Sequence, residues 1–593
     1  MDRSSNFLIT TADERSWRSD RQVLCLGQWC RLFGRKEAWS RLNAVVAPYH
    51  WDDRKKLYRD YLYLRKLHEV LLTELSAALN AVHGTVHSHR YWRILIGPWL
   101  LYFTEMLFDR WEMIQRTVEN YRVDGTVVLE FPLAQVIPKH INDFREMYPT
   151  DAWNHSIYAR IISGWTSIDC ERIPARGDQT PSPRSIAPHG FKNLAWRARN
   201  ITKRGVSRAS QALARDCDAF FLATFLPQRQ DFLLQLALGQ VPTLNVQVPP
   251  PEVDLDLNTR RQLDLNGVGH KGFEQCVRAL IPEQIPTVYL EGYGALQDTV
   301  TTLPWPRKPK VIFTCASYNP DDVFKGWAAL KVESGAPLVI GQHGGNLGSA
   351  LWTSSEDHEI AIADRYLTWG WSDGNPKQYP VSILKHIGRP RGIWDPTGHL
   401  LLMTSVMPRY SYVMGSYTVA AAQVESNLDD QYRFVRALRK DIFAKLVIRL
   451  FMPDWGWAQA DRWRNEIPSA HIDPGSAPVE PLVRKSRLYI ATYNATTFLD
   501  SLSRNIPTIM FWDPKHWELR PGAIPYFDKL RQAGVFFSSP EGAAEKVAEV
   551  WDDVEGWWDR SEVQDARKHF CNRFARIQDK PIEALRVALS TVK

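Results

Sequence analysis

The chain has 593 residues, of which 44% are hydrophobic and 23% charged, and its formal net charge is +7 at pH 7. This length exceeds what one hydrophobic core normally holds, so the sequence predicts two or three globular domains. The small positive charge comes without a sustained Lys/Arg block, a zinc-finger spacing or an RNP-type motif, which argues against a nucleic-acid-binding protein.

Seven cysteines are scattered along the chain, and no two of them form a CxxC pair. An odd number at irregular spacing indicates neither a disulfide framework nor a zinc site, so no metal is expected. The N-terminus has no signal-peptide h-region, and the longest apolar stretch, 94–103, is too short to span a bilayer. The sequence therefore predicts a soluble, cytoplasmic protein and leaves open a peripheral association with the inner face of the cytoplasmic membrane.

Apolar runs of strand length follow one another along the chain. The first is Phe7–Thr10, after which apolar residues at helical spacing predict a helix-rich region to about residue 240. Two later sets of short runs alternate with helical segments, which is typical of parallel βαβ units. The first set is Thr287–Leu290, Val311–Thr314, Leu338–Ile340 and Tyr366–Trp369, and the second is His399–Thr404, Ala444–Leu450, Leu488–Ala491 and Thr508–Phe511.

This order predicts an α/β protein with two Rossmann-like domains that face a central cleft. We expect an N-terminal domain over 1–390 with helical insertions at about 35–240, a C-terminal domain over 391–560 and a helical tail over 561–593. No GxxxxGK[ST] motif occurs, which argues against a P-loop ATPase. A cleft between two such domains can hold a nucleotide on one side and an acceptor on the other.

The run Val339–Gly348 joins a predicted strand to a polar turn that is dense in glycine. It places Gln342, His343, Gly344 and Gly345 where ligands sit in an open α/β sheet. Glycines allow the backbone to approach a phosphate or a sugar closely. His343 is therefore a candidate catalytic residue, and its three neighbours are candidates for donor binding. The alternative is a turn whose His caps a backbone group.

Two carboxylates are further candidates for catalysis. Glu291 ends the predicted strand 287–290 beside Gly292, where a carboxylate is well placed as a nucleophile or a base. The alternative is a solvated Glu in a loop. Glu359 and His358 follow the glycine turn and complete a polar wall, and their spacing matches no zincin pattern.

In the C-terminal domain, the candidates are residues that could hold a nucleotide phosphate. Arg449 ends a predicted strand and can grip a phosphate, with a salt bridge to Asp454 as the alternative. A second strand runs into Asn494–Thr497, at the start of a helix whose free N–H groups favour an anion. A Thr cap with Asp500 as the capping-box acid is a compatible interpretation.

Together, these motifs resemble a family of transferases encoded in bacterial O-antigen and other surface-carbohydrate loci. The residues that carry the resemblance are Phe7–Thr11, Trp17, Leu24–Cys30, Gln342–Gly345, His358, Glu359, Thr368–Trp371, Arg449, Asp454–Trp457, Arg462 and Trp463. A more distant similarity is to the retaining β-Kdo transferases of capsule and lipopolysaccharide synthesis, which are GT-B enzymes that use CMP-Kdo. The segment Tyr289–Tyr293 looks like their nucleophile motif, with Glu291 in place of an Asp.

The resemblance implies a GT-B-like fold with a helix-rich N-terminal elaboration and a glycosyltransferase activity. The donor would be a nucleotide sugar, of a CMP-activated, Kdo-like kind, and the acceptor a surface glycan or a lipid-linked glycan; no cofactor besides this co-substrate is expected. Glu291 would form a covalent intermediate or activate the acceptor, and His343 would orient the sugar or move a proton. The residues expected to hold the nucleotide and its phosphate are Ser405, Arg409, Arg449, Asn494, Thr496 and Thr497.

Two other functions fit the same residues. A phosphotransferase that moves a polyol phosphate from a CDP donor can use a GT-B scaffold with a catalytic His. A non-catalytic carbohydrate-binding or scaffold protein could use some of the 24 Trp residues as platforms for sugar stacking. These two functions remain open alternatives to glycosyl transfer.

Overall fold

Three parallel β-sheets form the framework of the protein. The computed structural model describes residues 5–175, 210–211, 213–265, 269–389 and 392–592. The first sheet has the order β3-β2-β1-β4-β5, the second β10-β9-β8-β7-β6 and the third β13-β12-β11-β14-β15-β16. The strands are β1 Asn6–Ile9, β2 Val23–Cys25, β3 Ala44–Val46, β4 Val123–Glu130, β5 Cys170–Pro174, β6 Phe220–Leu222, β7 Ile312–Thr314, β8 Leu338–Gly341, β9 Arg365–Thr368, β10 Gln378–Pro380, β11 His399–Met403, β12 Leu446–Arg449, β13 His471–Asp473, β14 Ser486–Ala491, β15 Thr508–Phe511 and β16 Phe536–Phe537.

Helices cover the sheets and fill the spaces between them. The helices are α1 Lys36–Trp39, α2 Arg54–His83, α3 His89–Asn120, α4 Ile141–Met147, α5 Asp151–Trp165, α6 Gln228–Ala237, α7 Leu257–Gln262, α8 Gly272–Gln284, α9 Tyr293–Thr301, α10 Asp322–Glu333, α11 Ser354–Ile362, α12 Ala421–Ala437, α13 Lys440–Phe443, α14 Gln459–Glu466, α15 Glu480–Arg484, α16 Thr496–Ser503, α17 Ile524–Gln532, α18 Pro540–Val550, α19 Val554–Trp558, α20 Ser561–Phe574 and α21 Pro581–Ser590.

The predicted α/β class is confirmed, and most predicted strands lie where the apolar runs place them. In the second sheet, β7, β8 and β9 coincide with the predicted runs at 311–314, 338–340 and 366–369. In the third sheet, β11, β12, β14 and β15 coincide with the four runs of the second set. These strands are recognisable because parallel strands are covered by helices on both faces and therefore read as continuous apolar runs.

The region to residue 240, predicted as one strand and many helices, contains a complete five-stranded sheet. β1 pairs with β2 on one side and with β4 on the other, so the strand predicted at Phe7–Thr10 is central. Most of the strands that the sequence does not reveal are short or lie at an edge; β4, which has eight residues and lies between β1 and β5, is the exception. β3 is only partly buried, and β5, with the sequence Cys-Glu-Arg-Ile-Pro, has an exposed face. The predicted domain boundary at 390–391 lies outside the described residues.

The segment predicted as the strand Thr287–Leu290 is not a strand. Residues Thr287–Tyr289 form one turn of 3-10 helix, with Pro286 at its N-cap. The side chains of Val288 and Tyr289 are fully buried. An apolar run that is buried on all sides has the same sequence signature whether it is a strand or a helical turn, which explains the wrong prediction.

The long helix α3 links the first sheet to the second. It packs on α2 and α5, and also on α10 and α11, which follow strands of the second sheet. At Gly97, an added Cβ would lie 2.7 Å from Cε1 of His358, so glycine is needed for α11 to approach α3 this closely. Because α11 follows the predicted glycine turn, α3 fixes the position of the helix beside the candidate site.

Candidate active site

Gln342 organises the glycine turn, residues 342–348, at the carboxyl end of β8. Its side chain is fully buried. Its Oε1 accepts hydrogen bonds from the Trp369 backbone N–H at 2.9 Å and from Trp371 Nε1 at 2.8 Å. Its Nε2 donates to the Gly344 carbonyl at 2.7 Å. The amide predicted to bind a donor is therefore used to shape the turn and to hold it against the end of β9.

His343 and Glu359 form a hydrogen-bonded pair. His343 Nδ1 lies 3.1 Å from Glu359 Oε1, and the His343 side chain is 37% exposed whereas that of Glu359 is fully buried. Tyr318 donates a hydrogen bond to Glu359 Oε1 at 2.6 Å, and Tyr366 donates to Oε2 at 2.9 Å. The carboxylate is thus fixed on both oxygens and engages the imidazole through Nδ1, so Nε2 is the ring nitrogen available to another group.

The electrostatic surroundings favour a His343 that can take up a proton. Burial lowers the pKa of His343, but the charge of Glu359 and the hydrogen bond to it raise it by more, so the pKa lies above its ordinary value. Burial, together with Glu359, raises the pKa values of the Tyr318 and Tyr366 phenols well above their usual range. Both phenols therefore remain hydrogen-bond donors to Glu359 at neutral pH. A carboxylate that stabilises an imidazolium in this way is an arrangement suited to general-base chemistry.

Helix α16 of the third sheet begins directly against the glycine turn. A Cβ added to Gly345 would lie 2.2 Å from the carbonyl carbon of Ala495 and 2.3 Å from the amide nitrogen of Thr496. The structure thus brings together two segments that the sequence singles out independently and that lie about 150 residues apart. Since each follows a strand of its own sheet, the two sheets meet here at their carboxyl ends, as ligand sites in α/β folds do.

The N-terminus of α16 has no side-chain cap. Ala495 occupies the N-cap position and makes no side-chain capping bond, so the predicted Thr cap is wrong. Asp500, expected as the capping-box acid, pairs instead with Lys385 at 2.5 Å. Asn494 is fully buried, and neither polar atom of its side chain has a partner among the described residues. Half-buried Thr496 and Thr497 complete a helix start with free N–H groups.

The other residues predicted to hold the nucleotide have different surroundings. Ser405 follows β11 and is half-buried, and Arg409 lies further along the same loop. Arg409 donates to the Trp29 carbonyl at 2.6 Å and pairs with Asp151 at 2.9 Å, both in the N-terminal region. In this arrangement its guanidinium ties the third sheet to the first sheet.

Arg449 lies at the carboxyl end of β12, as predicted. Its partner is Asp473, at 2.5 Å, and not Asp454, and it also donates to the Gly475 carbonyl at 2.7 Å. Asp454 accepts from the backbone N–H groups of Ala458 and Gln459, at 2.9 and 2.8 Å. The guanidinium of Arg449 therefore holds the segment after β13, and its role with phosphate stays a prediction.

Glu291 makes its polar contacts outside the glycine turn and the start of α16. Its carboxylate forms an ion pair with Arg260 at 2.7 Å, and the two side chains are 3% and 5% exposed. It also accepts the Asp256 backbone N–H at 3.2 Å. Glu291 does not end a strand, because the preceding residues are helical. None of its polar partners is shared with His343.

Tyr318 and Tyr366 belong to the site but were not predicted from the sequence. Tyr318 follows β7 within four residues, and Tyr366 is in β9. The rule that ligand-facing groups follow the ends of parallel strands could have indicated Tyr318. The side chain of Tyr366 gave no such signal, because an aromatic residue within a strand is ordinary core composition.

The described residues include no group of three or more His, Cys, Asp and Glu side chains arranged to hold a metal ion. Within the same ranges, every helix is too short or too polar to cross a membrane.

Residues 6–589 match the sequence profile described as LIC12162 family transferase, so this chain belongs to that family. No curated protein is similar enough in sequence to match it. The spinosyn rhamnosyltransferase SpnG, complexed with spinosyn aglycone, is 13% identical with a TM-score of 0.27, and the match covers 50% of this chain and 79% of SpnG. WaaG, a glycosyltransferase involved in lipopolysaccharide biosynthesis, is 11% identical with a TM-score of 0.26, and the match covers 51% of this chain and 95% of WaaG.

Proposed function

We propose that this transferase moves a sugar from a nucleotide donor to a glycan acceptor of bacterial surface-polysaccharide synthesis, in a GT-B-like cleft between the second and third sheets. One observation carries the proposal: the glycine turn that bears His343, paired with Glu359, contacts the uncapped N-terminus of α16 through Gly345 and Ala495. Glycosyl transfer from a nucleotide needs a base for the acceptor hydroxyl and positive charge for the leaving phosphate. These two requirements meet within one short segment of the cleft wall.

In the proposed reaction, His343 acts as the general base. Nδ1 donates to Glu359, and Nε2 accepts the proton of the acceptor hydroxyl. The acceptor oxygen forms a bond to the anomeric carbon while the bond from that carbon to the phosphate oxygen breaks, and the electron pair leaves with the nucleotide. Such a single displacement inverts the configuration at the anomeric carbon.

The leaving phosphate would be bound by α16 and the glycine turn. The free N–H groups at the start of α16, and the positive end of its dipole, favour an anion there. Gly344 has no atom within 4 Å of where a Cβ would be, so its backbone is open on that side. The buried, unpartnered side-chain amide of Asn494 lies two residues before this helix start. Thr496 and Thr497 would add hydroxyl groups.

The proposal gives Glu291 a structural role. A covalent glycosyl intermediate requires a carboxylate that faces the cleft, whereas Glu291 is held by Arg260 in a buried ion pair. Releasing it would leave the Arg260 charge buried without its partner, which is costly. A CMP-activated, Kdo-like donor is supported by the resemblance of Tyr289–Tyr293 to the β-Kdo transferase motif, and the nucleotide screen tests it.

The test compares nucleotide binding with sugar transfer. CMP, CDP, UDP and GDP, and their sugars, are screened by thermal shift against the wild type, His343→Gln and His471→Gln, a control at an exposed His outside the cleft. At about 100 times Kd, a bound nucleotide stabilises a protein by ~2.7 kcal/mol. We expect one nucleotide to stabilise all three proteins. Transfer of its sugar should persist in His471→Gln and be lost in His343→Gln.

Other outcomes would redirect the assignment. Release of CMP while phosphate enters the polymer would identify a polyol phosphotransferase. Absence of any response to nucleotides or nucleotide sugars would favour a non-catalytic carbohydrate-binding protein. Wild-type transfer by His343→Gln would remove His343 from the mechanism.

A further inference from the structure

A second cavity lies on the other side of helix α11 from His343. Its volume is about 430 Å³, and it is enclosed by α2, α3, α11 and the segment that leads into β10. We call it the α11 cavity. Residues that define it are Tyr61, His68, Arg93, Glu356, His358 and Gln378. Exposed Ala361 and Pro376 lie at its rim, whereas His68, His358 and Gln378 are buried.

Buried polar atoms without partners are concentrated in the side chains that line this cavity. His68 Nδ1, both ring nitrogens of His358 and Gln378 Nε2 are buried and have no hydrogen-bond partner among the described residues. Proteins rarely leave such atoms unsatisfied, because each costs free energy, and several around one cavity indicate a guest that supplies hydrogen bonds.

Arg93, Glu356 and Lys377, charged groups around the α11 cavity, already have hydrogen-bond partners within the protein. Arg93 binds Glu69 with an N–O distance of 2.8 Å, and Glu356 binds Arg520 at 2.7 Å. Lys377 donates to the backbone carbonyl groups of Ile360 and Ala361 at 3.0 and 3.2 Å. A charged ligand would have to compete with these contacts, so the lining favours an uncharged polar guest.

The two histidines can both donate and accept. Burial lowers the pKa of His68 to about 4 and the pKa of His358 well below its ordinary value, so both imidazoles are neutral at pH 7. A neutral imidazole offers one N–H donor and one nitrogen acceptor. Hydroxyl groups likewise donate and accept, so a ligand rich in hydroxyl groups matches these side chains.

Helix α11 connects the cavity with the proposed active site. Glu356 lines the cavity and accepts the Gly348 backbone N–H of the glycine turn at 2.6 Å. The Tyr318 ring is close to both histidines, with its centroid 6.4 Å from that of His358 and 6.3 Å from that of His343. The cavity lining and the proposed base thus share a neighbouring side chain.

We propose that the α11 cavity binds an uncharged saccharide unit of the acceptor glycan. Only the attribution of that unit to the acceptor rests on the proposed function; the saccharide site itself stands on the cavity. The site would hold the acceptor chain at a distance from the sugar that is being extended.

The test blocks the cavity from its rim. Ala361 is exposed, so Ala361→Trp fills the mouth without disturbing the core; Ala77→Trp, at an exposed position of α2 that does not line the cavity, is the matched control. Saturation-transfer NMR is run with N-acetylglucosamine, galactose, mannose and rhamnose, each at about 10 mM, which detects millimolar affinity. We expect at least one sugar to bind the wild type and Ala77→Trp equally, and at least tenfold more weakly to Ala361→Trp. Failure of all four sugars to bind, or unchanged binding to Ala361→Trp, would overturn the proposal.

A second variant separates a saccharide site from a water-filled cavity. His68→Phe keeps a ring and removes its nitrogens, and we expect it to weaken sugar binding at least tenfold. Unchanged sugar affinity in His68→Phe would mean that the imidazole does not contact a sugar, which contradicts the proposal. In both variants the nucleotide-induced thermal shift should equal that of the wild type, so loss of this site and failure of the proposed transfer give different results.

Discussion

Gly345→Ala is the sharpest perturbation of the proposed active site. The added Cβ would lie 2.2 Å from the Ala495 carbonyl carbon, and ordinary van der Waals contact begins at 3.4 Å. The difference, 3.4 − 2.2, means that the glycine turn and α16 must separate by about 1.2 Å. Both neighbours are backbone atoms, so no side chain can swing away. A displacement of about 1 Å between catalytic groups can cost ~10²-fold in rate.

A distant glycine provides the control. A Cβ at Gly164, an exposed residue of α5, meets nothing within 4 Å, so Gly164→Ala should retain activity close to that of the wild type. The assay is kcat/KM for sugar transfer from the nucleotide sugar that stabilises the wild type. Overpacking at residue 345 should also lower the free energy of unfolding by about 1–3 kcal/mol, read from urea denaturation. Equal kcat/KM values for Gly345→Ala and Gly164→Ala would refute the idea that this contact sets the geometry of the site.

Three further predictions concern titration and burial. Because Glu359 raises the pKa of His343, the wild-type kcat/KM should rise with pH through a pKa above 6.5. Glu359→Gln should shift this rising part of the pH profile to lower pH and lower the rate about 10²–10⁴-fold. A rising part that does not shift would contradict the pairing. Glu291→Gln breaks the buried ion pair with Arg260 and should lower the free energy of unfolding, measured by urea denaturation, by about 3–5 kcal/mol. Loss of sugar transfer at unchanged stability would instead show that Glu291 takes part in the reaction. Burial lowers the pKa of His155 to about 4, below its value in the unfolded chain, so its contribution to stability is complete above pH 6.5 and is lost as pH falls towards 4. His155→Gln should therefore reduce the drop in the free energy of unfolding between pH 7 and pH 5. An equal drop in the variant and the wild type would count against this assignment.

Local patterns in the sequence were enough to predict the glycine turn and the start of α16. Each consists of a continuous apolar run followed directly by small or polar residues, and both features are read within about ten residues. The sequence predicted only that the segments of Gly345 and Ala495 lie on opposite sides of a cleft, not that they touch. Its closeness depends on how two sheets pack together, which no local pattern encodes.

The partner of a charged side chain was the least predictable property. Arg449 was correctly placed at the end of a strand, but its carboxylate is Asp473, because β12 and β13 pair in parallel and bring residues 449 and 473 side by side. Glu291 follows an apolar run and was therefore predicted to end a strand, but the residues before it form a helical turn and its partner is Arg260. In both cases the sequence indicates the charge, and only the chain topology decides what neutralises it.

Helix α3, which links the first sheet to the second, limits how far the cleft can open or close. Glu105 of α3 accepts hydrogen bonds from Ser354 at the start of α11 and from the Met414 backbone N–H of the third sheet at 2.8 Å. Arg110, also of α3, donates to the Ser411 carbonyl at 2.7 Å. One buried helix thus holds the loop after β11 and the helix that carries Glu359. Separating the second and third sheets would break these buried hydrogen bonds, so we expect donor and acceptor to enter a largely preformed cleft rather than to drive wide domain closure.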